Sequence, residues 1–178
     1  MPPTVVRPFG GARDTLAEMA KAALGDRGER SIRVRRFTEW VIRDVWPKDY
    51  MGEILAIRAV CVQRSPFRSD VPLLHYVNDP RHVEMVKDPE RIVEEIEAFG
   101  TSLVDCDDSS TFAATMCLVV GREVEFVALG FARKQLSHVG VRVREPKSGR
   151  LLWLDGVAGP REAEAAGRAV ELSVLSLN

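Results

Sequence analysis

Along the first hundred residues the apolar positions recur at helical spacing, and beyond them the period shortens to that of strands. Leu16, Met19, Ala20 and Ala23 fall on one face behind Asp14 or Thr15 as a cap, and Gly25 and Gly28 close the run. Val34, Phe37, Val41 and Val45 predict a second helix over Ser31 to Val45, stopped by Pro47. A third is predicted over 51–63, where Ile54, Ile57, Ala59 and Cys61 sit with no turn chemistry between them. Leu73 to Val77 predicts a short strand, broken by Asn78-Asp79-Pro80. Asp88-Pro89 has the form of a helix start, and Ile92, Val93, Ile96 and Phe99 make the stripe that ends at Gly100.

A further helix is expected from Cys106 to Val120, with Phe112, Ala113 and Met116 inward and Gly121 as terminator. Strands are then expected at Glu123–Gly130, His138–Arg144 and Leu151–Leu154. Val139, Val141 and Val143 alternate with Gly140, Arg142 and Arg144, the period of a half-buried strand. Helices first, then a central helix followed by an antiparallel sheet, make an α+β fold. Residues 1–13, with Pro2, Pro3, Pro8, Gly10 and Gly11, read as an extended arm. Residues 14–160 read as one domain, and 161–178 as a C-terminal segment in which Val170–Leu177 forms an edge strand. Trp40 and Trp46 are expected in the core.

Composition narrows the function classes. The 25 Lys+Arg nearly balance 26 Asp+Glu, which gives no bulk attraction to nucleic acid or a membrane surface. Arg27, Arg30, Arg33, Arg35, Arg36 and Arg43 crowd one stretch without interleaved aromatics, and read as a solvated helix face. Three cysteines, Cys61, Cys106 and Cys117, do not suggest a disulfide framework and fit a reducing compartment. The N-terminus has no apolar core of a signal peptide, and no run approaches a membrane span. A cytoplasmic setting is the expectation. No Cys/His spacing supports zinc, and no cofactor is implied.

The chemistry concentrates in Val104-Asp105-Cys106-Asp107-Asp108-Ser109-Ser110. A cysteine at a helix start meets unpaired N–H groups and the positive end of the helix dipole, which favour a thiolate and could hold an oxyanion. Asp105, Asp107 and Asp108 oppose that ionisation, so the thiol needs a base. His138 opens a strand and Asp155 ends the next, and a helix followed by two antiparallel strands permits the three to meet. Capping is the expected role of Asp107 and Asp108; a calcium or magnesium site from Asp105, Asp107 and Asp108 is the weaker alternative. Cys61 and Cys117 read as core, and His75 and His82 as surface or satisfied side chains.

Asp105-Cys106-Asp107-Asp108, an apolar helix, Gly121, Ser137-His138-Val139 and Trp153-Leu154-Asp155 together resemble the transglutaminase-like superfamily, closest to its short bacterial and tailed-phage members. Tyr76-Val77-Asn78-Asp79-Pro80, Glu84 and Asp88-Pro89 resemble the segment leading into the cysteine, and the likeness covers about residues 15–158. The resemblance implies a papain-like fold with Cys106 as nucleophile, His138 as base and Asp155 as the residue that orients it. Tyr76, Asp105 and Trp153 are the expected pocket residues, with Trp153 shielding the triad. It differs from the family's common pattern in Val104 before Asp105, in Ser109, and in Val139-Gly140 where His-Ala-Trp is usual. Three readings stay open: a cysteine hydrolase acting on an amide of a peptide, protein or peptidoglycan crosslink; the same chemistry with an amine acceptor; and a phage virion or assembly protein that keeps the fold and binds other virion proteins.

Overall fold

The computed structural model describes residues 4–6, 11–62, 72–77, 84–130, 136–154 and 170–177. Their elements, in order, are β1 (Thr4–Val6), α1 (Ala12–Leu24), α2 (Ile32–Ile42), α3 (Tyr50–Val62), β2 (Leu74–Tyr76), β3 (Glu84–Val86), α4 (Pro89–Phe99), β4 (Ser102–Val104), α5 (Cys106–Val119), β5 (Val124–Gly130), β6 (Leu136–Arg144), β7 (Leu151–Trp153) and β8 (Val170–Leu177). The α+β expectation holds: helices come first, and α5 packs on a four-stranded antiparallel sheet of order β7-β6-β5-β8. β8 stands at the edge of that sheet, as its sequence suggested.

The helix ends follow local chemistry. Ser31 caps α2, its hydroxyl accepting from the Val34 amide at 3.4 Å and donating to the Glu90 carboxylate at 3.0 Å. Asp88 precedes Pro89 at the start of α4, but its carboxylate makes no cap bond and pairs with Arg27 at 3.3 Å. Gly100 ends α4 in the left-handed region, φ 78°, where its N–H reaches the Ile96 carbonyl.

α5 is the hub. Asp107 through Cys117 are all buried, and the helix touches α1, α2, α3, α4, β3, β4, β5 and β6. Phe112, Ala113, Ala114 and Met116 form the core with Leu16, Met19, Val34, Ile54, Ile57, Ile92 and Ile96 from the other helices. Val139, Val141 and Val143 supply the sheet's side, as the alternation predicted.

Several expectations are corrected. Thr4–Val6, read as part of an extended arm, pairs antiparallel with β3 inside the chain, Val5 opposite Met85. α2 ends at Ile42, three residues before Val45. Trp46 therefore lies off the helix and 83% exposed, while Trp40 is half-buried against Phe37. β4, unexpected from sequence, pairs in parallel with β2. In the arginine-rich stretch, Arg27 pairs with Asp88, Glu90 and Glu94, and Arg33 with Glu94 and Glu97, while Arg30, Arg35, Arg36 and Arg43 are exposed as a solvated face requires. Among the described residues no helix is long and apolar enough to cross a membrane.

Candidate active site

Cys106 is the first residue of α5, directly after the cap. Asp105 holds extended backbone, and its carboxylate accepts from the Asp108 amide at 3.2 Å. That bond satisfies one of the helix's unpaired N–H groups and fixes where the helix begins. Cys106 is half-buried, whereas Cys61 and Cys117 are buried. Burial pushes the Cys117 thiol well above its ordinary range, with Cys61 beside it adding to the effect. Of the three cysteines, Cys106 is the most exposed.

The acidic neighbours are not solvated. Asp105, Asp107 and Asp108 are all buried. Each is accommodated differently. Asp105 caps the helix, and Asp108 accepts the Lys87 amide at 2.6 Å, tying β3's exit to the helix start. Neither oxygen of Asp107 has a partner of ordinary hydrogen-bond geometry among the described residues. Burial, then the nearby Asp105 and Asp108 carboxyls, pushes Asp107 up to about 10. It is neutral at pH 7. Capping therefore falls to Asp105, not to Asp107 or Asp108. Among the described residues no three His, Cys, Asp or Glu side chains gather in a way that could hold a metal ion.

His138 lies on β6, half-buried, opposite Leu129 of β5. The ladder slips beside it. His138 pairs with Leu129 but Leu136 pairs with Gly130, so Ser137 is an extra residue on β6. β8 slips at the same level, where Ser173 pairs with Ala128 and Glu171 with Leu129, leaving Leu172 extra. Bulges of this kind bend a sheet end and re-aim the side chains beside them.

A side-chain bond joins the helix start to this end of β6. Ser110, one helical turn after Cys106 and on the same face, donates its hydroxyl to the Val139 carbonyl at 3.1 Å. Nothing in the sequence pointed to Ser110 beyond its spacing of four from the cysteine.

The β2–β4 register puts Tyr76, 43% exposed, opposite Val104, two residues before Cys106. Trp153 is half-buried and lies over Gly140: a Cβ there would come within 2.4 Å of the indole Cζ2. His138 and Gly140, two apart on one strand, share a face, so the indole flanks the histidine's side of the sheet. β7's pairing continues past Trp153, the Leu154 amide donating to the Val141 carbonyl at 2.8 Å. Asp155 and His82 lie outside the described residues, and His75 is exposed. A cavity of about 360 Å³ opens beside β4, lined by Lys87, Glu95, Phe99, Thr101 and Leu103. Burial would raise the Glu95 carboxyl there, but the Ser102 hydroxyl and the Lys87 ammonium hold it below its usual value.

No family model matches this chain, and no curated protein does. A solved structure does: that of a "putative protease" from Parabacteroides distasonis, with a TM-score of 0.62 at 14% identity. The likeness covers 95% of this chain and 31% of that protein, so the chain spans about a third of its neighbour's length. At that identity the likeness is one of fold. It takes in helices and sheet together, because it covers nearly all of the chain.

Chemically, the arrangement offers an accessible thiol at the positive end of a buried helix, and an imidazole on the strand that the helix's first turn grips. Sequence reasoning named Cys106, His138, Tyr76 and Trp153: Cys106 opens α5, His138 and Trp153 lie on the adjacent strands β6 and β7, and Tyr76 lies on β2 beside β4. It did not find Ser110, Lys87 or the paired bulges, none of which leaves a periodic signal.

Proposed function

We propose that this chain is a cysteine hydrolase of the transglutaminase-like type, cleaving an amide bond of a peptide or protein. The observation that supports it best is the Ser110–Val139 bond, which ties the first turn of the cysteine's helix to the residue after His138. The fold likeness to a protein described as a protease adds weaker support.

In this reading His138 takes the Cys106 proton and Sγ bonds to the carbonyl carbon. The resulting oxyanion forms beside the backbone N–H groups of α5's first turn and the positive end of its dipole. The amine leaves with the proton from His138, and a thioester remains. His138 then deprotonates a water, which attacks the thioester and frees the acid and the thiol. Asp155 orients the imidazole. With an amine in place of that water the same steps give transamidation, and amine incorporation into a glutamine-bearing protein separates the two. A peptidoglycan crosslink is the other amide the site would take. An assembly role in a virion, in the same bacterial or phage setting, draws on β8, an edge strand with Val174 exposed.

The test is site-resolved alkylation. Iodoacetamide at neutral pH labels Cys106 and spares Cys61 and Cys117, and His138→Ala slows that labelling. Equal, slow labelling of all three thiols would sink the reading.

A further inference from the structure

We propose that Ser110 is a positioning residue for the Cys106–His138 pair, an inference that rests on the function proposed above. Alternate residues of a strand present their backbone groups to the same edge. On the β7 side of β6 those residues are odd-numbered: the Glu145 amide donates to the Arg150 carbonyl, and the Val141 carbonyl accepts from Leu154. Val139 is the next along that edge, and its carbonyl accepts from Ser110. On the other side, toward β5, the ladder slips immediately beyond His138. The histidine thus sits where regular pairing ends, and a side chain from the nucleophile's own helix holds the following peptide. Ser110 is buried, so water does not compete for this bond. One hydroxyl thereby links the helix that presents the thiol to the strand that presents the imidazole, at the point where the sheet constrains that strand least.

The experiment is a double-mutant cycle on the rate of Cys106 carbamidomethylation by iodoacetamide at pH 7, read by mass spectrometry of the Cys106 peptide. Ser110→Ala is expected to slow labelling about tenfold, the scale of one buried hydrogen bond. It should have no further effect in the His138→Ala background, since the hydroxyl acts through the histidine. Ser110→Thr, which keeps the donor, should retain the rate, and it serves if the alanine variant does not fold. Wild-type labelling in Ser110→Ala, with slow labelling in His138→Ala, overturns this proposal and leaves the catalytic pair standing. Equal slowing in both backgrounds also overturns it, because the hydroxyl would then act on the helix alone. Wild-type labelling in His138→Ala removes the pair itself, and this inference with it.

Discussion

Replacing Asp107 with Asn tests the electrostatics of the helix start in one step. Asp107 is 1% exposed, and burial, with Asp105 and Asp108 close by, raises it from 3.8 to about 10. The folded state holds a proton that the unfolded chain releases near 3.8. Stability is therefore full below about pH 4 and falls as pH rises toward 10. Each pH unit in that window removes about 1.4 kcal/mol, so at pH 7 the loss amounts to ~4 kcal/mol. Asn has nearly the same shape and is neutral at every pH, so it removes this dependence together with the coupling of Asp107 to the Asp105 and Asp108 carboxyls. Urea unfolding followed by circular dichroism at pH 5, 6 and 7 measures it. The variant should be the more stable, by a margin that grows with pH to ~4 kcal/mol at pH 7. Parallel stability curves, or a variant less stable at pH 7, would refute a neutral Asp107.

Two further substitutions probe the frame. Ser31→Ala removes the α2 cap and the bond to Glu90, and the unfolding free energy from urea titration should fall by ~1–2 kcal/mol; an unchanged value would show that the cap contributes nothing. Gly140→Ala places a Cβ 2.4 Å from the Trp153 indole, so the ring must move, at a cost of about 1–3 kcal/mol. A shift in tryptophan emission reports that movement, and an unaltered spectrum with unaltered stability would contradict the stacking.

The sequence made some of this legible for definite reasons. Val139, Val141 and Val143 alternate because β6 has one face on the core and the other outside it. Pro89 and Gly100 punctuate α4 at positions where their backbone conformations are favoured. What escaped was structure without a period. β1, β3 and β4 have three residues each, too few to show alternation. α5 was expected to have an inward stripe, yet it is buried on every side. A helix enclosed by other elements has no solvent face, and its small and polar residues, Ser109, Ser110, Thr111 and Thr115, are positions of close approach. Trp46 misled because size suggests burial, while α2 stops before reaching it. Lys87 serves the site through its backbone amide, and any residue but proline carries that group.

The acidic flanks of Cys106 bear on the proposed chemistry differently once their partners are known. From sequence they are three charges opposing a thiolate. In the fold, Asp105 and Asp108 direct oxygens to backbone amides, one inside the helix and one from Lys87. Asp107 has no such donor, and burial leaves it the proton. A carboxyl that keeps its proton exerts no Coulombic penalty on a neighbouring thiolate, so one of the three objections disappears. The two that remain are on the groups that fix the helix start, which is also what presents the N–H groups to Cys106. In the proposed chemistry the same residues therefore build the end of α5 that receives the oxyanion and oppose the ionisation of its thiol. An ionised Cys106 then requires a cation close by, and in the proposed chemistry that part falls to His138, whose strand the helix grips through Ser110.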